Sequence, residues 1–205
     1  MDKTTQTVER FFNRLSSVYD HPLPQKLFYG RIQQQLLNEI SKETPEHILD
    51  TGCGTGELLR KMADIWPNSS LVGLDLSEDM LVVAEGKDYG AARSRFICGS
   101  VYDIPVDDAC FDLITNTISS HFYTNIDQAL GEFHRLLKPG GKLLMANITN
   151  GALGVIPGPL QKGIRLPAQT YRSRNNWIEH LQNSGFEILK VKRLPYPAQL
   201  FICQK

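Results

Sequence analysis

Residues 48–59 read Ile-Leu-Asp-Thr-Gly-Cys-Gly-Thr-Gly-Glu-Leu-Leu, the most informative stretch of this chain. An apolar pair runs into Asp50, three glycines follow at alternate positions, and an amphipathic segment begins at Glu57. Glycine permits a sharp turn after a strand, and side chains at Gly52 or Gly54 would fill the space that a ligand needs. The free N–H groups at the start of the next helix favour an anionic group. The stretch therefore predicts a strand, a ligand-binding loop and a helix.

Short apolar strands alternate with helical segments on both sides of this loop. The predicted strands cover 47–50, 71–75, 95–98, 111–116, 142–148, 186–192 and 198–204. The predicted helices cover 8–18, 28–40, 58–66, 126–137 and 174–184, with Ser77 as the N-cap of one more. Strands alternating with helices indicate right-handed crossovers and a buried parallel sheet, whereas the closely joined last two strands should pair antiparallel. We predict an α/β, doubly wound, mostly parallel seven-stranded sheet with an antiparallel final strand.

The composition is that of one ordinary globular domain. The 205 residues include 22 Lys+Arg and 22 Asp+Glu, and 41% are apolar. Because the charges balance, we expect no nucleic-acid partner, which calls for a basic surface. No apolar run approaches the length of a membrane span, and the polar N-terminus differs from a secretory signal. The four cysteines show no CxxC pair or zinc spacing, so we expect free thiols, no metal and a cytoplasmic location.

The glycine spacing discriminates between nucleotide cofactors. A dinucleotide fingerprint would require glycine where Glu57 or Leu59 stands, and a phosphate-loop ending is also absent. Asp50 would repel a pyrophosphate but suits the ammonium of a zwitterion. Asp75 ends the second strand about 20 residues further on, where a ribose diol is typically held. The segment after the third strand, Gly99-Ser100-Val101, is the predicted adenine edge.

These features resemble the class I S-adenosylmethionine-dependent methyltransferases, in particular the methyltransferase type 11 or ubiquinone/menaquinone methyltransferase-like subgroup. The resemblance covers nearly the whole chain, from about Val8 to the C-terminus. The motifs that carry it are Asp50–Gly56, Leu74–Ser77 with Met80, Phe111–Ile114, Arg135–Lys142 and Ser184–Phe186. It implies a Rossmann-like methyltransferase fold with N-terminal lid helices, and S-adenosylmethionine as cofactor, with S-adenosylhomocysteine as product.

The resemblance also implies which residues hold the cofactor. They are Asp50, Thr51, Gly52, Cys53, Gly54, Thr55 and Gly56 around the methionine moiety, Asp75 at the ribose, Leu76, Met80, Gly99, Ser100 and Val101 toward the adenine, Asn116 after the fourth strand, and Tyr19 in the lid. Ser100 departs from the family, which usually has aspartate there to accept a hydrogen bond from the adenine amine. A neutral hydroxyl makes a weaker contact than a carboxylate.

The implied activity is in-line transfer of a methyl group to an O, N or C atom of a small, partly apolar molecule (EC 2.1.1.-). Such transfer depends mainly on alignment, so a fixed catalytic residue is not required. His121 is the candidate base, and the alternative is a loop histidine that orders the backbone. Other possibilities are an S-adenosylmethionine-binding regulatory or assembly protein without turnover, and a protein methyltransferase. A nicotinamide oxidoreductase is disfavoured by the glycine spacing.

We expect a single methyltransferase domain over 1–205, as a monomer or homodimer. Its predicted parts are lid helices (1–45), a cofactor-binding core (46–148), a substrate-side loop (149–172) and a C-terminal helix and hairpin (173–205). The loop combines apolar residues with cations such as Arg172, which suits an acceptor with an anionic group. The alternative is a loop that packs on the sheet and binds nothing.

Overall fold

The structure is a computed structural model that describes residues 3–19, 29–149, 171–194 and 198–205. The strands are β1 (His47–Thr51), β2 (Ser70–Asp75), β3 (Arg93–Cys98), β4 (Phe111–Thr117), β5 (Leu137–Ile148), β6 (Glu187–Arg193) and β7 (Ala198–Gln204). The helices are α1 (Lys3–Tyr19), α2 (Gly30–Ile40), α3 (Glu57–Ile65), α4 (Glu78–Glu85), α5 (Ile126–Leu136) and α6 (Arg174–Asn183), with a 3-10 turn at Ser120–Phe122. Prolines at 22 and 24 predict a turn over 19–24, and prolines at 195 and 197 predict a turn before the last strand. These residues and Phe28 lie outside the described residues, apart from the backbone of Tyr19.

The strands form one seven-stranded sheet in the order β3-β2-β1-β4-β5-β7-β6. The first five strands run parallel, and β7 pairs antiparallel with both β5 and β6. The predicted fold class is confirmed. The strand order reverses between β1 and β4, and in such sheets ligands bind beyond the carboxyl ends of the strands near this point.

The strands between the two edges of the sheet are buried on both faces, which explains why they read as nearly continuous apolar runs. The edge strands β3 and β6 are mostly exposed. On one face, Ile48 of β1 packs in a core with Leu36 of α2 and Leu59 of α3. On the other face, Leu49 packs in a core with Phe133 of α5. Neighbouring residues of one strand thus support opposite layers of helices, and β1 is fixed from both sides.

Strand β5 begins earlier than the sequence predicts. Helix α5 ends at Leu136, and β5 begins at Leu137. It therefore includes Lys138-Pro139-Gly140-Gly141, which fall between the predicted helix and the predicted strand. The pairing of β4 with β5 shifts register after Phe111, and Gly140 takes a φ of +79°. The glycines and the proline make the start of β5 irregular. In the sequence, the same residues indicate only that the helix stops, and a turn or an irregular strand can follow.

The N-terminal helix lies over the carboxyl end of the sheet. Asn13 of α1 accepts a hydrogen bond from the Ser77 hydroxyl, at 2.5 Å, where α4 begins. Phe12 packs edge to face on Phe122, with 5.2 Å between the ring centroids. Helix α1 therefore connects the segment after β2 with the turn after β4.

Candidate functional site

The glycine loop after β1 is held against the neighbouring strand. The backbone N–H groups of Gly52 and Cys53 both donate to the carbonyl of Leu74, at 2.7 and 3.0 Å. Gly52, Gly54 and Gly56 all have positive φ, a conformation that residues with side chains rarely adopt. A Cβ added to Gly52 would lie 2.5 Å from the Ser119 hydroxyl oxygen. Glycine at position 52 thus serves both the backbone turn and the close approach of Ser119.

Asp50 lies at the end of β1, with only 1% of its surface exposed. Its Oδ1 accepts a hydrogen bond from the Thr115 hydroxyl at 2.7 Å. Burial raises the pKa of Asp50 to about 7, the Thr115 hydrogen bond opposes the rise, and the charge of Asp75 adds to it. Asp50 is therefore a buried carboxyl that titrates near neutral pH, close to the binding loop.

Asp75 connects the end of β2 with the glycine loop. Its Oδ2 accepts from the Gly54 N–H at 2.8 Å, and its Oδ1 accepts from the Ser77 N–H at 2.9 Å. Burial raises the pKa of Asp75, and these backbone hydrogen bonds oppose the rise. A carboxylate has about four acceptor positions, so this one keeps capacity for hydroxyl donors from a ligand.

A buried polar network joins the loop to the turn after β4. Asn116 donates through Nδ2 to the Thr51 carbonyl at 2.8 Å, and the same nitrogen lies 2.7 Å from the Ser119 hydroxyl and 2.8 Å from the Tyr123 hydroxyl. The Asn116 Oδ1 has no hydrogen-bond partner among the described residues. Asn116 thus ties β1 to the turn after β4 and supports Ser119 and Tyr123.

A cleft of about 770 Å³, counting the space open to solvent, lies at this end of the sheet. Of the predicted cofactor residues, those that line it are Gly52, Gly54, Asp75, Leu76, Met80, Gly99, Ser100 and Val101. Those that do not line it are Asp50, Thr51, Cys53, Thr55, Gly56 and Asn116. All six residues of the second group are buried, three of them within the loop itself. The side chain of Tyr19 lies outside the described residues.

The cleft also has walls outside the predicted cofactor residues. They are Thr5, Val8 and Phe12 of α1, Tyr102 after β3, and Thr117, Ile118, Ser119, Phe122 and Tyr123 after β4. The helical spacing of Val8 and Phe12 predicted an apolar helix face but not its partner. Residues 117–123 follow β4, beside the point where the strand order reverses. This position was the signal that could have identified them as site residues.

The loop after β3 is braced by a tyrosine. The Tyr102 hydroxyl accepts from the N–H groups of Thr124 and Asn125, at 2.7 and 3.3 Å. The Ser100 hydroxyl accepts from the Tyr102 N–H at 3.2 Å. Ser100 therefore takes part in the local turn while it lines the predicted adenine end of the cleft.

His121, the predicted candidate base, does not line the cleft. Its ring is 7% exposed, lies 4.2 Å from Phe122 between ring centroids and stacks on Tyr171 at 5.4 Å. Burial lowers its pKa to about 4, so the imidazole is neutral and weakly basic at neutral pH. This geometry favours a packing role in the turn over proton transfer in the cleft.

The cysteines and the metal-binding residue types form no second centre in the described part of the chain. The four cysteines are unpaired, and burial raises the pKa of Cys53, which opposes thiolate formation. No group of three or more His, Cys, Asp or Glu in the described ranges could hold a metal ion. None of the described helices is long and apolar enough to cross a membrane.

Comparison with known proteins agrees with this geometry. Residues 48–141 match a family model described as a methyltransferase domain. A malonyl-[acyl-carrier protein] O-methyltransferase of Pectobacterium atrosepticum is 27% identical over 161 residues, which are 77% of this chain and 59% of that protein. A demethylmenaquinone methyltransferase of Thermotoga maritima is 30% identical over 149 residues, 71% of this chain and 63% of that protein. The chain thus spans about three fifths of the length of these relatives.

Solved structures share the fold over nearly the whole chain. A putative methyltransferase of Haloferax volcanii, in complex with the Trm112 methyltransferase activator, matches with a TM-score of 0.80 at 18% identity, over 94% of this chain and 96% of that one. A SAM-dependent methyltransferase from Aquifex aeolicus matches with a TM-score of 0.74 at 18% identity, over 96% and 97%. The Rossmann-like fold that the resemblance implies is therefore confirmed.

Proposed function

We propose that this chain, which carries a methyltransferase domain over residues 48–141, transfers the methyl group of S-adenosylmethionine to an O, N or C atom of a small, partly apolar acceptor. One observation carries the proposal: the glycine loop and Asp75, from neighbouring strands, open on the same cleft. Of the acceptors in the names of the relatives, demethylmenaquinone is a small, largely apolar molecule, whereas the malonyl group is carried by an acyl-carrier protein.

The residues of the cleft fit this cofactor. Asp75 supplies an acceptor for ribose hydroxyls, and its backbone hydrogen bonds to Gly54 and Ser77 fix its orientation. Leu76 and Met80 supply apolar surface beside it for a purine. Asp50, beneath the loop, supplies negative charge for an ammonium group when it is ionised.

When bound, the cofactor supplies the reactive methyl group on a positively charged sulfur. The chain itself has to bind, orient and exclude water, and alignment alone can lower a barrier by roughly 7–11 kcal/mol in favourable cases. Phe12 and Phe122 close one side of the cleft with apolar surface. We propose that α1 is the lid and that His121 holds the turn instead of acting as a base.

The division into parts is proposed on the same basis: lid helices at 1–45, a core at 46–148, a substrate-side loop at 149–172 and a C-terminal unit at 173–205. Residues 150–170 lie outside the described part of the chain. Thr149 and Arg172, which flank them, form a parallel bridge at the end of β5. Both ends of the proposed loop therefore lie at the carboxyl end of the sheet.

Calorimetric titration with S-adenosylmethionine, S-adenosylhomocysteine and NAD tests the cofactor. We expect both sulfur compounds to bind and NAD not to bind. Transfer of labelled methyl groups from S-adenosylmethionine to a panel of phenols, amines and carboxylic acids then tests turnover. Binding without transfer to any acceptor would favour the alternative, a regulatory or assembly protein. Failure of both sulfur compounds to bind would contradict the proposal.

A further inference from the structure

A buried polar cluster lies beside the cleft at the carboxyl ends of β4 and β5. We define it as Ser120, His121, Asn147 and Arg172. Asn147 is 1% exposed, His121 7% and Arg172 9%, so each is at least nine-tenths buried. The Ser120 hydroxyl donates to the Asn147 Oδ1 at 2.5 Å, which links the turn after β4 to β5.

The topology places Arg172 on the same face of the sheet as Asn147. Arg172 forms a parallel bridge with Thr149, two residues beyond Asn147, and side chains two residues apart share a face. The Arg172 guanidinium lies over the ring of Trp177 of α6, 5.3 Å from its centroid. Trp177 belongs to the core on that face, with Met145 of β5.

Several polar atoms of the cluster have no partner. Arg172 Nη1, Asn147 Nδ2 and His121 Nδ1 are buried without a hydrogen-bond partner among the described residues. Two of the three are donors only, and the histidine nitrogen donates or accepts according to its tautomer. Leaving such groups unpaired is costly, and each one normally has a structural or functional explanation.

Arg172 forms no ion pair with a carboxylate within the described part of the chain. The charge of Asp127 acts favourably on Arg172, but Asp127 is itself paired with His180 at 2.5 Å. Burial lowers the pKa of Arg172, and the charges of Asp127 and Tyr102 only partly oppose this. A buried guanidinium without a carboxylate costs free energy that a bound anion would recover.

The cluster adjoins the cleft through one turn. Ser119 and Phe122 line the cleft, whereas Ser120 and His121, between them in sequence, belong to the cluster. Tyr102 lines the cleft and also contributes to the electrostatic environment of Arg172. A molecule in the cleft could therefore extend toward the cluster.

We propose that Arg172 and Asn147 form a subsite that binds a carboxylate group of the methyl acceptor. The subsite offers one positive charge and two unpaired donor nitrogens, Arg172 Nη1 and Asn147 Nδ2, which match the single charge and two oxygens of a carboxylate. A phosphate dianion would leave one charge unneutralised in a buried place. This inference rests on the proposed function, because it assigns the ligand to the acceptor.

The experiment measures carboxylate binding to protein saturated with S-adenosylhomocysteine. The probes are acetate, malonate and benzoate, with benzamide as the neutral isostere of benzoate and phenyl phosphate as the phosphate counterpart. The variants are Arg172→Gln and Asn147→Asp, and the control is Arg174→Gln, at an exposed arginine of α6. Calorimetry reports affinity, and S-adenosylhomocysteine binding reports whether each variant keeps its cofactor cleft.

We expect at least one carboxylate to bind to the wild type and to Arg174→Gln, with benzamide and phenyl phosphate weaker. Arg172→Gln should weaken that carboxylate about tenfold to a hundredfold, as expected for a lost charge-assisted hydrogen bond. Asn147→Asp retains an acceptor for Ser120 but adds a negative charge, so it should abolish carboxylate binding. It also keeps the test decisive if Arg172→Gln does not fold.

Three results would overturn the subsite: no carboxylate binds, benzamide or phenyl phosphate binds as well as the carboxylate, or the two variants bind it as the wild type does. Normal S-adenosylhomocysteine binding alongside any of these results would leave the proposed function intact. If the wild type does not bind S-adenosylhomocysteine, that result would instead reject the proposed function itself.

Discussion

Replacing Asp50 with asparagine should stabilise the ligand-free protein at alkaline pH. Burial raises the pKa of this carboxyl from 3.8 to about 7. The folded state therefore holds the proton more tightly than the unfolded state, and the free energy of unfolding falls as pH rises between these two values. The shift is about three pH units, and at 1.36 kcal/mol per unit the total loss is about 4 kcal/mol. Asp50→Asn removes the ionisation and keeps an acceptor for Thr115.

The assay is urea unfolding of wild type and Asp50→Asn from about pH 5 to about pH 8. This range covers about two of the three units of the shift, so ionisation of Asp50 should lower the free energy of unfolding of the wild type by about 3 kcal/mol. Burial also raises the pKa of Asp75, so its ionisation lowers the free energy of unfolding of both proteins as the pH rises. The asparagine variant should thus show the shallower slope and the greater stability at the alkaline end. The exposed Asp107→Asn is the control and should follow the wild type. Parallel curves for wild type and Asp50→Asn would refute the reasoning.

Three further outcomes are expected. Gly52→Ala should weaken S-adenosylhomocysteine binding at least about tenfold and cost about 1–3 kcal/mol of stability, because φ is +68° and Ser119 is 2.5 Å from the added Cβ. Gly90→Ala is the control, because Gly90 also has a positive φ, +59°, but an added Cβ would have no atom within 4 Å. It therefore measures the cost of backbone strain without a steric contact. If the two variants lose equal stability in thermal unfolding, the contact with Ser119 has no role. The affinity for S-adenosylhomocysteine should rise as the pH rises toward about 7, because the ammonium group of the ligand favours the ionised form of Asp50. If calorimetry shows an affinity that does not change with pH, Asp50 does not interact with the ammonium group. Ser100→Asp should tighten S-adenosylhomocysteine binding in the same titration, and unchanged affinity would place the adenine elsewhere.

The number of strands and their parallel or antiparallel directions could be predicted from the sequence. Apolar runs such as Leu71–Leu74 mark strands buried on both faces, and the short connection between the last two strands required an antiparallel pair. The start of β5 could not be predicted, because its register shift against Phe111 depends on the neighbouring strand. Sequence spacing carries no information about such cross-strand irregularities.

Residues of the candidate site could be predicted where the course of the backbone determines their position. They were harder to predict where side chains from distant segments of the chain meet. Gly52 and Asp75 were identified because strand ends of a parallel sheet share one edge. Phe12 was missed as a cleft residue, since only the packing of α1 brings it to Phe122. His121 was predicted as a candidate base from residue type and position, but its burial depends on tertiary packing. That burial, beside Phe122 and Tyr171, lowers the pKa of His121 to about 4.

The central claim is that Asp75 holds the ribose of S-adenosylmethionine, and calorimetric titration of Asp75→Ala with S-adenosylhomocysteine tests it most directly. Asp79→Ala, at an exposed position in the first turn of α4, is the matched control. The account predicts tight binding to the wild type and to Asp79→Ala, and loss of most affinity in Asp75→Ala. Unchanged affinity in a folded Asp75→Ala protein would contradict it.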